Sequence, residues 1–249
     1  MKFSEIVERI VYYVSVPKCI SCGEKLDFAS KVYCPDCELE LFDAYNRNCS
    51  RCNKILSECC CSNAYLKSKR IKNVIKLFRY IQREENFVAN SLIYSLKKDN
   101  RRDCLALAAD MLSNAILKAE PQCKEFIFTN VPRRRSAIIK RGFDHAALLA
   151  KAISKRLGAE YVPLLKSKTK RAQKTLTSSE RKSNASFMIR TNVSLKGMTV
   201  VIIDDVITTG SSVGACGELC YSLGAKRVIA ASLGIAYKDE YEAPIETPF

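Results

Sequence analysis

The sequence lacks a long apolar run. Its longest mainly apolar stretch, residues 228–236, has nine residues, whereas a helix that crosses a bilayer needs about 18–20. Residues 1–10 begin like a signal sequence, but Glu5, Glu8 and Arg9 interrupt the apolar stretch that such a sequence requires. We therefore expect no membrane span and a cytoplasmic protein.

Glycine and proline are scarce, with 9 and 7 residues among 249, and tryptophan is absent. Hydrophobic residues make up 47% of the chain and charged residues 27%, which is ordinary for a globular protein and excludes collagen-like, low-complexity and wholly disordered chains. At about 100–200 residues per domain, the length allows one large domain or a domain with a small module.

Acidic residues are also scarce, with 26 of them against 41 lysines and arginines, so the net charge is +15. The excess is uneven, because residues 1–65 hold 8 basic and 9 acidic side chains while residues 66–249 have a net charge of +16. Nine of the 13 cysteines also lie before residue 66. The two distributions predict a cysteine-rich module over 1–65 and a basic domain over 66–249 that binds an anionic partner.

The cysteines of the first module occur in pairs separated by two residues, a spacing that is typical of thiolate zinc sites. The first candidate set of ligands is Cys19, Cys22, Cys34 and Cys37. The 11 residues between its two pairs are enough for a hairpin that brings them together. A disulfide framework is the alternative, but a chain in the cytoplasm keeps its thiols reduced. We therefore predict a structural zinc ion.

A second set of ligands must be completed from a run of three cysteines. The predicted set is Cys49, Cys52, Cys59 and Cys61, with Cys60 spare. Interleaved pairing is an alternative. In it, the cysteine pairs that bind the same zinc ion do not follow each other directly in the sequence. A site of four thiolates has no open position for water or substrate, so we predict that the zinc is structural. Each such site adds negative charge, which makes this module a poorer binder of nucleic acid.

Apolar spacing and capping residues predict the secondary structure of the chain. Helices are predicted over 4–14, 86–98, 102–119, 144–158 and 212–223, and strands over 126–131, 199–203 and 228–233. Alternating strands and helices with short links predict an α/β fold with a parallel sheet flanked by helices. Residues 66–82 are interpreted as a solvated charged face, and residues 164–190, with eight basic side chains against one acid, as a loop.

Residues 201–212 carry the strongest chemical signal. The apolar residues predict a buried strand, with Asp204 and Asp205 at its carboxyl end. The loop that follows offers backbone N–H groups, hydroxyl groups and the start of a helix, which together favour a phosphate. Two acids beside an anion site suit a sugar phosphate. The alternative is that these residues only cap the next helix.

This segment resembles the phosphoribosyltransferase signature, and residues 19–233 resemble the ComF family, whose members join a cysteine-rich zinc module to a phosphoribosyltransferase-like domain. Further marks of the resemblance are the 96–102 segment, Val131-Pro132, Arg141-Gly142-Phe143, Gln173, Leu176, Arg181, Asn184 and Phe187. The resemblance implies a parallel sheet of the phosphoribosyltransferase type I kind, with a small N-terminal zinc-ribbon module.

The resemblance also implies roles for individual residues. Asp204 and Asp205 would bind the ribose hydroxyls of phosphoribosyl pyrophosphate (PRPP), with magnesium bridging the sugar and the pyrophosphate. The residues implied for the phosphate site are Thr208, Thr209, Gly210, Ser211 and Ser212. Pro132 and Arg133 occupy the place of the pyrophosphate loop, and the basic stretch 168–181 that of the flexible lid.

The chain departs from the family pattern at one point, since it has Asp144-His145 where many members have Asn-Gln after Arg-Gly-Phe. His145 is the single histidine, and we predict that it lies on a helix surface rather than acting as a base. No residue that would read a nucleobase is identified, so catalysis does not follow from the phosphate site.

The resemblance implies a role in DNA uptake during natural transformation, with single-stranded DNA and proteins of the uptake machinery as partners. The basic residues predicted to contact DNA are Arg134, Arg135, Arg141, Lys168, Lys170 and Arg171, and Phe78, Tyr80 or Phe143 would stack on bases. One alternative is an active phosphoribosyltransferase that transfers ribose 5-phosphate from PRPP to a base or amine. Another is an adaptor whose acidic cysteine module docks a basic partner protein.

Overall fold

The computed structural model describes residues 16–27, 32–80, 87–98, 101–168, 187–191 and 193–236. The helix predicted over 4–14 lies outside the described residues, as do several residues singled out from the sequence: Lys170, Arg171, Gln173, Leu176, Arg181 and Asn184. Among the helices that are described, none is both long enough and apolar enough to cross a membrane.

The described chain alternates helices and strands. The helices are α1 (Pro35–Tyr45), α2 (Ala64–Ser68), α3 (Phe87–Lys98), α4 (Arg102–Ala119), α5 (Arg135–Arg141), α6 (His145–Leu157) and α7 (Ser211–Ser222). The strands are β1 (Val74–Arg79), β2 (Ile127–Asn130), β3 (Glu160–Tyr161), β4 (Leu165–Ser167), β5 (Phe187–Ile189), β6 (Thr199–Ile207) and β7 (Arg227–Ile235). Helices α3, α4, α6 and α7 begin and end within one residue of their predicted bounds, because capping residues such as Asp144 and Gly158 mark their ends.

Five parallel strands form the main sheet, in the order β1-β7-β6-β2-β3. Strand β6 pairs with β7 as far as Ile207 opposite Ile235, but with β2 only as far as Ile203 opposite Asn130. The predicted parallel sheet flanked by helices is therefore confirmed. The carboxyl end of β6 extends beyond its β2 neighbour, which leaves that side of the strand open.

Both faces of the sheet are covered, as is usual for parallel sheets. Val201 and Ile203 of β6 face one apolar layer, which includes residues of α3, α4 and α6. Val200 and Ile202 face the other layer, which includes residues of α2 and α7. Successive side chains of a strand point to opposite faces, so a continuous apolar run buries both sides of β6.

The cysteine-rich region packs against the first of these layers. Tyr33 is buried, and its hydroxyl donates a hydrogen bond to the carbonyl oxygen of Val88 at 2.9 Å. The ring of Tyr45 meets that of Phe78 edge to face, with centroids 6.3 Å apart. Residues of α1 and of α3 belong to the same apolar cluster. The cysteine-rich region and the sheet thus share a core.

Two interpretations of basic segments are wrong. Residues 66–82 are not a solvated face throughout, because Val74–Arg79 form the edge strand β1, in which Lys76 is fully buried. Within 164–190, strands β4 and β5 pair in antiparallel fashion, Leu165 opposite Ile189. In both cases the strand is stabilised by residues far along the chain, which local charge does not reveal. Phe78 is also fully buried, so it cannot stack on a base.

Candidate functional site

The two acids of the signature lie near the carboxyl end of β6, where Asp204 is half-buried and Asp205 is buried. The strand continues to Ile207 rather than ending at Ile203 as predicted, because β7 pairs with it beyond the end of β2. Asp204 faces the layer of α7, and Asp205 faces the layer of α3 and α6. The backbone N–H of Asp205 donates to Asp204 Oδ1 at 2.9 Å, which holds the first carboxylate in place.

A cleft of about 360 Å³ opens at this edge of the sheet. It is lined by Val131, Pro132, Arg133, Arg134, Ala137, Ser167, Phe187, Asp204, Asp205 and Ser212. The fold thus brings together six of the residues predicted from the sequence, which come from two segments about 70 residues apart. Ser167 and Phe187 belong to β4 and β5, so the described ends of the basic 164–190 segment also reach the cleft.

Three basic side chains converge on one oxygen of Asp205. Arg133 Nη2 lies 2.7 Å, His145 Nε2 2.5 Å and Lys97 Nζ 3.3 Å from Oδ2. The other oxygen, Oδ1, accepts the backbone N–H of Val206 at 2.7 Å. Two permanent cations and a histidine therefore surround a single buried carboxylate. The local charge is positive, and an anion in the cleft would be stabilised.

The pKa values of the two acids are shifted in opposite directions. Burial acts to raise the pKa of Asp205, but the hydrogen bond from His145 and the positive charges of Lys97 and Arg133 outweigh it, so this pKa lies well below its ordinary value. Burial and the negative charge of Asp205 raise the pKa of Asp204 well above its ordinary value. Asp205 is thus held as a carboxylate, whereas Asp204 binds a proton more readily than an ordinary aspartate.

His145 lies inside the protein and not on a helix surface as predicted. Its exposed fraction is 3%, and it is the first residue of α6, directly after the capping residue Asp144. A carboxylate can only accept hydrogen bonds, so Nε2 donates to Asp205. Its Nδ1 atom has no hydrogen-bond partner among the described residues. No local pattern could indicate this contact, because 60 residues separate the two partners.

Helix α2 positions the predicted phosphate loop. Asn63, the residue that caps α2, donates through Nδ2 to the carbonyl oxygen of Thr209 at 3.1 Å. Gly210 is buried with φ +82°, and a Cβ atom there would lie 2.7 Å from Leu66 Cγ. Sequence reasoning missed both contacts. The other loop residues, Thr208, Thr209, Ser211 and Ser212, are exposed at the start of α7.

Four of the six residues predicted to contact DNA are described by the structure. Arg134 lines the cleft, and α5 begins at Arg135 and ends at Arg141. The side chains of Arg134, Arg135, Arg141 and Lys168 are all exposed. Lys97, which the sequence analysis did not place in the site, belongs to the 96–102 segment that carries part of the family resemblance. The place of Lys97 in this segment is the sequence feature that could have pointed to its position beside Asp205.

The cysteines form the two predicted sets. The sulfur atoms of Cys19, Cys22, Cys34 and Cys37 lie within 4.8 Å of one another, and so do those of Cys49, Cys52, Cys59 and Cys61. The pairs are consecutive and not interleaved, and Cys60 packs against the apolar core. All of these cysteines are free thiols, which speaks against the alternative of a disulfide framework.

The first pair of each set lies in the same kind of turn. The N–H of Gly23 donates to Cys19 O at 3.0 Å, and the N–H of Asn53 donates to Cys49 O at 2.8 Å. Both residues have positive φ, +79° and +55°, which glycine adopts freely and asparagine tolerates. The second pairs differ, since Cys34 and Cys37 lie at the start of α1 and the others follow a short 3₁₀ helix.

The geometry of these thiols fits zinc. The sulfur atoms of Cys22 and Cys34 are 3.6 Å apart, close to the edge of about 3.8 Å of a tetrahedron with Zn–S distances of about 2.3 Å. Burial raises the pKa of Cys37, Cys59 and Cys61, but one thiol of each set is acidified. Burial raises the pKa of Cys19, but hydrogen bonds from the backbone N–H groups of Cys22 and Cys34 outweigh it and lower that pKa to about 7. In the same way, the pKa of Cys49 falls to about 6. Each set can bind zinc through four thiolates.

Comparison with known proteins gives the following matches. Residues 144–249 match the family described as phosphoribosyl transferase domain. The chain is 27% identical over 231 residues to competence protein ComFC of Streptococcus pneumoniae, covering 87% of this chain and 99% of that protein. It is 29% identical over 143 residues to the DNA utilization protein YhgH of Salmonella typhimurium, covering 55% of this chain and 63% of that protein. These matches confirm the predicted resemblance to the ComF family.

Among solved structures, the chain is similar to a crystal structure of adenine phosphoribosyltransferase. The match has a TM-score of 0.39 and 19% sequence identity, and it covers 55% of this chain and 81% of the matched chain. The phosphoribosyltransferase fold class predicted from the sequence is confirmed by the parallel sheet and the domain match together.

Proposed function

Since this chain resembles the ComF family in both its cysteine-rich region and its phosphoribosyltransferase-like domain, we propose that it acts in DNA uptake during natural transformation. In this proposal it binds a PRPP-type sugar phosphate in the cleft and single-stranded DNA beside it. The observation that carries the proposal is the convergence of Arg133, Asp204, Asp205 and Ser212 on one cleft. Competence and DNA utilization appear in the names of the relatives.

The cleft is suited to a ligand with two unlike ends. The start of α7 and the hydroxyl groups of Ser211 and Ser212 favour a phosphate, since helix N-termini carry partial positive charge. Arg133 lies across the cleft, where it would meet a pyrophosphate. The carboxylates between them would accept hydrogen bonds from ribose hydroxyls. Magnesium prefers oxygen ligands, so Asp204 and Asp205 are also the residues that would hold it with the ligand.

A basic surface beside the cleft supports DNA binding. Arg134, Arg135 and Arg141 flank or end α5, and Ile139 on the same helix is 72% exposed. Exposed cations would contact phosphates of the backbone, and an exposed apolar side chain would contact a base. Tyr80, at the end of β1, remains a candidate for stacking. This surface and the cleft share Arg134, so occupancy of one is expected to affect the other.

Fluorescence anisotropy of a labelled single-stranded oligonucleotide, titrated with and without magnesium PRPP, tests this proposal. We expect DNA binding that weakens steeply with salt, and competition by PRPP. An Arg134→Ala/Arg135→Ala/Arg141→Ala variant should lose about two units of the logarithmic salt slope, at about 0.7 per phosphate contact.

The control is Lys196→Ala/Lys226→Ala, which removes two positive charges where the test variant removes three. Both lysines are exposed and lie just before β6 and β7, at the opposite edge of the parallel sheet. This control should bind DNA nearly as tightly as the unaltered protein. Equal losses for both variants would mean that the charge of the whole domain and not this surface attracts DNA, and no binding at moderate salt would refute the DNA role.

An active phosphoribosyltransferase is the second candidate, favoured by the acids and Arg133 in one cleft. In such a reaction, pyrophosphate leaves as positive charge develops on the ribose, so Arg133 would stabilise the leaving group and the carboxylates the ribose. Pyrophosphate release in the presence of a panel of bases and amines measures this activity. Release that disappears in an Asp204→Asn/Asp205→Asn variant would favour the enzyme, and no release would leave the binding role.

The proposal also assigns the remaining parts of the chain. We place a cysteine-rich module at 1–65 and a phosphoribosyltransferase-like domain at 66–249, in the cytoplasm. Zinc in the two cysteine sets would be structural, because four thiolates leave no open position. Proteins of the uptake machinery are the proposed protein partners, and the acidic residues of α1, which include Asp36 and Glu38, favour a basic one.

A further inference from the structure

Lys76 is buried beside the second cysteine set. Its exposed fraction is 0%, and it is the one lysine or arginine among the described residues whose side chain is fully buried. Its ammonium group lies 3.1 Å from Cys59 Sγ, 2.9 Å from Cys61 O and 3.3 Å from Val74 O. An ammonium group has three N–H donors, so each of them has an acceptor.

The position of Lys76 is costly without an opposing charge. A buried cation is strongly destabilising unless it is paired, and the two carbonyl oxygens that it contacts carry only partial charge. Four thiolates around a zinc ion carry a net charge of −2, which a single buried ammonium group offsets in part. Each partner therefore reduces the cost of burying the other.

The structure assigns Lys76 as a positioning residue of the second zinc site, where it donates to the thiolate of Cys59 without binding the metal. This inference rests on the proposed zinc in that site. Lys76 belongs to β1 of the sheet, and the N–H of Val74 in the same strand donates to Cys60 O at 3.1 Å. The metal site and the edge of the phosphoribosyltransferase-like sheet are thereby coupled, so zinc retention depends on a residue outside the cysteine-rich region.

Zinc release to a colorimetric chelator tests this assignment on the full chain. Lys76→Met keeps the length and apolar stem of the side chain but removes the charge and the donors. We expect the zinc ion of the second set, about half of the bound zinc, to be released roughly 10- to 100-fold faster or at a correspondingly lower chelator concentration. This is the usual effect of removing a hydrogen bond to a metal ligand. Lys76→Arg, which retains charge and donors, should stay closer to the unaltered protein.

Lys118→Met is the matched control. Lys118 pairs with Glu58 at 2.5 Å, next to the same cysteines, but it is exposed and contacts no sulfur. This variant removes the same charge from the same region and should release zinc normally. Should Lys76→Met fail to fold, Lys76→Gln, which keeps an N–H donor but no charge, takes its place in the same assay.

Two results would overturn the assignment, and they are distinguishable. If Lys76→Met releases zinc at the same rate as Lys118→Met, Lys76 has only a packing role although the zinc proposal stands. If Cys59→Ser leaves the zinc content of the otherwise unaltered protein unchanged, the second set holds no zinc and the assignment fails together with that part of the proposed function. Faster zinc release from Lys76→Met than from Lys118→Met supports the assignment.

Discussion

The cysteine-rich region and the carboxyl edge of the sheet bury charges of opposite sign. In the second cysteine set, one ammonium group, that of Lys76, lies among several thiol groups. At the sheet edge, one carboxylate, that of Asp205, lies among Arg133, Lys97 and His145. With its cysteines as thiolates, the first region has surplus negative charge and the second has surplus positive charge.

The sign of the surplus charge indicates which ligand each region would favour under the proposed function. Surplus buried charge is destabilising unless a ligand of opposite sign joins it. Thiolates select a soft cation such as zinc, and a cleft with surplus positive charge and the start of a helix selects a phosphate. In both regions a buried charge lies among groups of the opposite sign, but the signs in the two regions are exchanged. Substitutions of single residues in the two regions test this electrostatic difference.

The largest effect should follow from loss of a metal ligand. Structural zinc contributes on the order of 10 kcal/mol of apparent binding free energy in small domains. Cys59→Ser should therefore remove about one zinc ion per chain and unfold the second cysteine set, as measured by metal analysis and thermal unfolding. Cys60→Ser, which alters the neighbouring spare cysteine, is the control and should keep its zinc. Equal zinc loss in both variants would contradict the observed grouping of the ligands.

The next largest effect should come from Asp205→Asn. It leaves Arg133, Lys97 and His145 without their carboxylate, and breaking a buried ion pair costs about 3–5 kcal/mol. The pKa of Asp205 is lowered in the folded protein, so its stabilising contribution is present above the unfolded pKa of about 4 and is lost as pH falls toward the folded pKa. Urea unfolding at neutral pH and at about pH 2.5, well below the unfolded pKa, should therefore show a smaller difference from the unaltered protein at the lower pH. A difference that does not depend on pH would mean that packing and not charge is lost.

An intermediate effect is expected at Gly210, where the phosphate loop meets α2. Gly210→Ala places a Cβ atom against Leu66, and overpacking costs about 1–3 kcal/mol in addition to about 1 kcal/mol for the positive φ. Gly142→Ala is matched in φ, +82° in both, but has nothing within 4 Å. The free energy of unfolding should fall more for Gly210→Ala. If the two variants lose the same amount, α2 does not constrain the loop.

The smallest effect, and one of opposite sign, is expected for Asp204→Asn. Its pKa is raised in the folded protein, so the folded state loses stability as pH rises from the unfolded pKa of about 4 through the folded pKa. Removing the charge should raise the free energy of unfolding slightly at neutral pH, because burial and the charge of Asp205 disfavour the ionised Asp204 in the folded protein. The gain should vanish near pH 4. A loss of stability at neutral pH would contradict the assignment of the two acids to opposite electrostatic roles.

Much of the fold could be predicted because its signals are local. Helix α6 is bounded by Asp144 and Gly158, whose capping and left-handed conformations depend on adjacent residues. The run of apolar residues before Asp204 indicates a strand buried on both faces. Strand β1 was missed because its charged neighbours, among them Lys72 and Lys76, obscure a short apolar pattern that β7 stabilises.

The cysteine pairs, most of the helices and strands, and the acids and hydroxyl groups of the predicted phosphate loop could be read from the sequence, because each of these depends on residues close together in the chain. The grouping of the cysteine pairs, the contact of Lys76 with Cys59, the contacts of His145 and Lys97 with Asp205, and the packing of Leu66 on Gly210 required the folded structure. The partners in these contacts are between 17 and 144 residues apart in the chain. Burial makes such pairs strong, since charges and close contacts matter most where water is excluded, and burial arises only when the whole chain has folded.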